Sequence, residues 1–251
     1  MSDPKRPLLS HLEELLFRAR RILIYIVLGF MGGYAVSERL VSELEAPILA
    51  RLPEGAKLIF TTPFEKFWVY MRVSFIAGVV LALPLVVYEI VAFVTPGLRG
   101  RERRRMLSLL VVFSIVFFTG CYLGYRFVLP PLIQAVLNFG SASIAPFLTL
   151  SSYINTTLGV LLFTALFMEM PVIMIFASLW GWVDAGAWAK GRRLAIVGNA
   201  TLAAILSPPD PMSMMVMLLP LQLLYEGGIL GARVAQWTSH GRAQNTSQTL
   251  S

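Results

Sequence analysis

Three long apolar runs, Phe67–Val94, Met106–Val128 and Tyr153–Trp180, are each long enough to cross a membrane as a helix. Hydrocarbon about 30 Å thick takes about 20 helical residues. Composition agrees: 57% of the chain is hydrophobic and 14% charged, where soluble domains carry about 25% charge. Three further runs, Ile22–Val36, Leu194–Leu206 and Met212–Leu230, need more argument. The first is extended by Arg20, Arg21 and Arg39 at its flanks, whose long stems snorkel toward the interface. Leu194–Leu206 reaches only about 20 Å. It either pairs with the following run as a re-entrant hairpin or crosses fully in a locally thinned bilayer. Full crossing is preferred, because it leaves Lys190–Arg193 and the segment after Leu230 on one side. The expected fold is an all-α integral membrane protein with six transmembrane helices, at about 20–38, 67–94, 106–128, 153–180, 194–206 and 212–230. One membrane domain then covers residues 1–237, and the polar tail 238–251 reads as disordered.

Charge sets the orientation. The net charge of +7 could suggest nucleic acid, but the basic residues lie beside apolar spans, so lipid headgroups and acidic partners are the expected contacts. With both termini cytoplasmic, most of the 21 basic residues fall on the inner side, including five arginines between Arg99 and Arg105. The N-terminal segment has Glu13 and Glu14 and no small-residue cleavage site, so it reads as retained. Ser10 with Glu13 fits a capping box, which makes Glu13 structural and leaves Glu14 as the binding candidate. The outer segments Ser37–Lys66 and Leu129–Ser152 read as ordered caps on the outer rim. The second carries an amphipathic turn or two of helix after Pro130-Pro131.

Certain polar residues stand where lipid or like charge should exclude them. Glu169 lies within LLFTALFMEMPVIMIF with no basic residue within one helical turn, and it reads as the one acid deep in a span. An ionised carboxylate there is costly, so it is expected to be largely neutral in lipid and to meet a polar partner. The structural alternative is a hydrogen bond to a neighbouring helix or to a carbonyl freed by Pro171. Glu102 sits inside the arginine cluster. It either balances local charge or accepts a guanidinium from another chain, since arginine–carboxylate pairs are bidentate and selective. Pro84, Pro171 and Pro220 inside the runs would bend their helices into a concave, cup-like wall.

These residues, in order, resemble the TatC family, the multi-span subunit of the twin-arginine protein translocase. The resemblance runs from His11 to about Gly227. It rests on His11-Leu12-Glu13-Glu14-Leu15 with Arg18, Ala46-Pro47, Pro63-Phe64-Glu65, and Tyr88 with Phe93. It continues through Pro96-Gly97-Leu98, Glu102-Arg103-Arg104, Gly124-Tyr125, Ser152-Tyr153, Phe167 and Glu169 with Pro171. It closes on Ser207-Pro208-Pro209-Asp210, Pro220 and Leu224-Tyr225-Glu226.

The resemblance implies a receptor that binds twin-arginine signal peptides of folded proteins at Glu14, Phe93, Glu102 and Arg104. It implies assembly with single-span TatB-like and TatA-like subunits, in an oligomeric complex of the bacterial inner membrane. Glu169, with Tyr153, Pro171, Tyr225 and Glu226, would form the polar contacts toward those partners. Pro47, Pro84, Pro96, Gly97, Pro208, Pro209 and Asp210 would shape the fold. Transport would draw on the protonmotive force, with no cofactor, metal or enzymatic step. Two positions depart from the family pattern: Leu16 stands where an arginine is common, and Pro211, Ser213 and Met214 where a glutamine is usual. The competing reading from another class is a small-molecule secondary transporter that uses Glu169 as an ion- or proton-coupled site. It is disfavoured by the absence of a repeat between the two halves of the sequence.

Overall fold

The computed structural model describes residues 6–52, 57–94, 100–137, 148–206 and 211–248, with the backbone alone at 6–11, 94, 100–106, 206, 212, 213, 216 and 238–248. The helices are α1 (Arg6–Ala35), α2 (Ser37–Leu49), α3 (Glu65–Val94), α4 (Gly100–Leu123), α5 (Leu129–Leu137), α6 (Leu150–Leu179), α7 (Ala185–Lys190), α8 (Arg192–Leu206) and α9 (Pro211–Gln248). No strand occurs among the described residues. Extended backbone pairs only in a bridge between Ile59 and Thr149. The stretches Glu65–Phe93, Leu107–Leu137 and Leu150–Leu179 are long and apolar enough to cross a membrane. The chain divides into two compact units whose boundaries pass through α4 and α6.

The first unit holds residues 1–114 and 147–158. Its α1 and α3 pack with almost no space between their backbones. A Cβ placed on Gly78 would lie 2.4 Å from the Phe30 nitrogen, and one on Gly29 would lie 2.4 Å from the Gly78 oxygen. Gly33 repeats the contact one turn on, where a Cβ would meet the Ser74 oxygen at 2.6 Å. Small residues at this spacing let membrane helices approach until dispersion and close backbone contact hold them. Ser74 is fully buried there, its hydroxyl donating to the Tyr70 carbonyl at 2.6 Å.

A cap closes one end of this unit. Helix α2 buries Val41 and Ile48, and Pro47 lies inside it. The Tyr153 hydroxyl of α6 donates to the Leu44 carbonyl at 2.7 Å. Glu65, at the start of α3, accepts from the Thr61 and Ser151 backbone N–H groups at 2.7 and 3.0 Å. The cap is thus tied to α6 by a carboxylate and a phenol. Tyr153→Phe, which removes one donor, is expected to lower stability by about 1 kcal/mol. The measurement is the midpoint of thermal unfolding in detergent; an unchanged midpoint would mean the bond contributes nothing.

The second unit holds residues 115–146 and 159–251. Gly120 of α4 and Gly124 in the turn that follows it let the chain approach α6 closely, with hypothetical Cβ atoms 2.6 Å from the Ala165 Cα and 3.1 Å from the Thr164 Cβ. One apolar cluster gathers Ala203, Met217 and Leu221 with Phe163 and Phe167, and a second gathers Met174, Tyr225 and Ile229. Helix α6 ends in a Schellman turn. Gly181 adopts φ 74°, the Trp182 N–H reaches the Ala177 carbonyl at 2.9 Å, and the Gly181 N–H reaches Ser178 at 3.2 Å. A residue with a Cβ would be strained at Gly181.

Three expectations change. Helix α1 starts at Arg6, so Ser10 lies inside it and does not cap it; the capping-box pattern is coincidental once the helix begins a turn earlier. The third apolar run does not end at Val128. Residues Gly124–Val128 form a π-helical turn, with the Leu129 N–H bonded to the Gly124 carbonyl, and α5 follows directly. Pro130 and Pro131 have no N–H to donate, and the wider turn absorbs that loss of register. Helix α9 continues through Gln248, so the backbone expected as a disordered tail is helical to that residue. No proline follows Pro220 to stop it, and extending an existing helix is far cheaper than nucleating one.

Candidate functional site

The first polar centre lies on α1 and α3. Arg18 sits one helical turn after Glu14, and its Nε and Nη2 both donate to Glu14 Oε1, at 3.0 and 2.7 Å. Its remaining Nη1 donates to Glu89 Oε2 of α3 at 3.0 Å. The other Glu89 oxygen receives Arg21 Nη1 at 3.1 Å and the Tyr25 hydroxyl at 3.4 Å. Arg18, Arg21 and Tyr25 follow one another at intervals of three and four, which puts them on one face of α1. Glu89 is fully buried, whereas the Glu14 side chain retains 35% exposure. The Glu14 hydrogen bond is the main influence holding the Arg18 guanidinium above its ordinary pKa, opposed by its desolvation and aided by Glu89. Arg20 and Arg21 each lie 5.6 Å over the Phe17 ring, a cation–π contact at the rim of the cluster.

Glu89, five residues before the end of α3, is a further fully buried acid that the sequence reading did not single out. The signal was present as a glutamate inside the apolar run of α3, matched by Arg18, Arg21 and Tyr25 on α1. Only the helix register shows that they meet. Both Glu89 oxygens are engaged by arginine, so this acid is no open ion site.

Phe93 is half-buried in the last turn of α3, and Glu102 and Arg104 lie in the first turns of α4. The side chains of Glu102 and Arg104 are not among those described, and Pro96, Gly97, Pro208, Pro209 and Asp210 lie outside the described residues.

The second centre is Glu169 on α6. It is 2% exposed, and neither carboxylate oxygen receives a hydrogen bond from a described residue. Pro171 is two residues on, inside the same helix. The expected internal partner for Glu169 is therefore not found among the described residues. Leu166 and Ile173, at 59% and 55% exposure, face outward while Glu169 faces inward.

The remaining candidates make internal bonds. The Tyr225 hydroxyl donates to the Trp188 carbonyl at 2.9 Å. Glu226 accepts from Arg192 Nη2 at 2.6 Å, and Asn199 Nδ2 donates to Gln222 Oε1 at 3.2 Å. Together these tie α7 and α8 to α9. Tyr153 belongs to the cap described above.

Long apolar helices, tight glycine crossings and sealed polar groups define an all-α membrane protein. The family described as Sec-independent protein translocase protein (TatC) matches residues 10–220. A Sec-independent protein translocase protein TatC of Desulforapulum autotrophicum is 37% identical over 232 residues, 92% of this chain and 86% of that one. Its counterpart in Magnetococcus marinus is 33% identical over 231 residues, 92% and 85% of the two chains. A crystal structure of the twin arginine translocase receptor TatC superposes with a TM-score of 0.76 at 28% identity, covering 90% of this chain and 99% of that one. The chain belongs to the TatC family of Sec-independent protein translocases.

Proposed function

We propose that this chain is the receptor subunit of a twin-arginine translocase, binding the signal peptides of folded precursors at Glu14, Phe93, Glu102 and Arg104. The observation that carries this reading is the Glu14–Arg18 pair. Glu14 already holds a guanidinium in two hydrogen bonds and remains partly exposed. The solved relative bears the name of a receptor for the twin-arginine system. The site would face the cytoplasm, with both termini inside and six crossings, since basic residues concentrate beside α1, α4 and α8. The membrane would be the bacterial inner membrane, with transport driven by the protonmotive force and no enzymatic step. Single-span TatB-like and TatA-like partners would engage Glu169, with Pro171, Tyr225 and Glu226 as further polar or bending positions of the same unit and Tyr153 as one in the other.

Affinity for a signal peptide would come largely from its apolar stretch, and selectivity from the carboxylates. Rim-exposed pairs contribute at most about 1 kcal/mol each. Glu14→Gln and Glu102→Gln are each expected to weaken twin-arginine peptide binding about fivefold and to narrow its advantage over a twin-lysine peptide. Titration of labelled peptides against the purified protein reads this directly. Unaltered discrimination in both variants would remove the basis of the proposal.

A further inference from the structure

We infer that a groove at the end of α1, beside the first turns of α2 and α3, holds the headgroup of a zwitterionic phospholipid with a primary amine, of the phosphoethanolamine class. This contact is with the lipid and is independent of the receptor reading above.

The groove has a volume of about 880 Å³ and lies wholly within the first unit. Its charged lining residues are Glu38 and Arg39 of α2 and Lys66 of α3, and its aromatic ones are Tyr34, Phe67 and Tyr70. The apolar runs fix its depth. Ile22–Val36 ends at the groove, and the membrane-crossing stretch Glu65–Phe93 begins at it. Both helices therefore meet the hydrocarbon boundary here, at the level where headgroups lie and aromatic side chains gather.

The charges select the kind of headgroup. Glu38 and Arg39 are both exposed, and neither forms an ion pair with a described residue. The Lys66 ammonium lies 5.6 Å from the Tyr70 ring centroid and within electrostatic reach of Glu45. A guanidinium and an ammonium bind a phosphate through charge-assisted hydrogen bonds. A carboxylate in the same groove penalises a purely anionic headgroup such as phosphoglycerol, but it is a partner for an ammonium. Tyr34 and Phe67, both more than half exposed, offer ring faces to that cation. The formal charges of Glu38, Glu45, Arg39 and Lys66 cancel, which suits a headgroup whose own charges cancel. Phosphocholine carries the same charges and has no N–H to donate to Glu38, so it is held less well.

The test is native mass spectrometry of the full-length protein in detergent, titrated with phosphatidylethanolamine or phosphatidylglycerol of identical acyl chains. Wild type is expected to bind phosphatidylethanolamine about fivefold more tightly. Glu38→Gln removes the partner of the amine alone, so that advantage is expected to disappear. Arg39→Gln removes a partner of the phosphate, which both lipids carry. Both are then expected to weaken by a similar factor, with the advantage kept. A preference that survives in Glu38→Gln, or binding of both lipids unmoved in Arg39→Gln, overturns the inference. Equal binding of the two lipids by wild type also overturns it and makes the groove a general lipid-facing surface. Should either variant fail to fold, phosphatidylcholine on the wild-type protein supplies the comparison: binding as tight as that of phosphatidylethanolamine overturns the inference equally.

Discussion

Replacing Glu169 by leucine is expected to raise the thermal stability of the purified protein and to abolish export of a twin-arginine precursor. Its carboxyl group is 2% exposed, and no described residue donates to either oxygen. Leaving a buried polar group unsatisfied costs about 1–3 kcal/mol, and an apolar side chain of similar size does not bear that cost. For a chain of this size the gain corresponds to about 2–4 °C in melting temperature per kcal/mol. The role proposed for Glu169 is contact with a partner helix that supplies the hydrogen bond no described residue gives. Co-purification of single-span subunits should therefore fail in Glu169→Leu even though the protein itself is well folded. Glu169→Gln separates two roles, because the amide keeps the polarity and cannot ionise. Export in Glu169→Gln would assign the group to polar contact, and its loss would assign it to proton exchange. Undiminished assembly and export in Glu169→Leu would dismiss Glu169 as a partner site.

The second large effect is structural. Gly78→Leu is expected to prevent accumulation of folded protein, or to lower the melting temperature by about 10 °C if some folds. Any Cβ at residue 78 lies 2.4 Å from the Phe30 nitrogen and 2.6 Å from the Gly29 carbonyl carbon and the Phe30 Cα. These are backbone atoms, so no rotamer change relieves the overlap and α1 must move bodily away from α3. The same movement would pull Arg18 and Arg21 from Glu89, coupling the crossing to the proposed ligand site. A Cβ added at Gly159, Gly198 or Gly227 would meet nothing within 4 Å. Alanine at those positions should be neutral or stabilising by up to about 1 kcal/mol, since glycine is a poor helix former. Tolerance of Gly78→Leu alongside the Gly159→Ala control would show that α1 and α3 do not cross as closely as described.

Helix positions were legible because hydropathy is a property of consecutive residues. The runs beginning at Phe67, Met106 and Tyr153 correspond to helical stretches with membrane-crossing length and composition. Glu169 was conspicuous for the same reason, as an acid surrounded by apolar neighbours. Helix ends were harder to place. Ser10 looked like a cap because a capping pattern is short and recurs by chance, and the π turn before Pro130 has no separate compositional mark.

The sequence alone determined the all-helical membrane class, the charge asymmetry and the family, because apolar run length, basic-residue position and ordered motifs can be read along one dimension. Tertiary structure decided which groups meet. It set Glu89 against Arg18 and Arg21 across helices α1 and α3, turned Glu169 inward, and brought Gly29 onto Gly78. Those choices depend on the rotation and register of one helix against another. A shift of one residue turns a helix by about 100°, enough to exchange a paired acid for a lipid-facing leucine without altering the hydropathy of either segment.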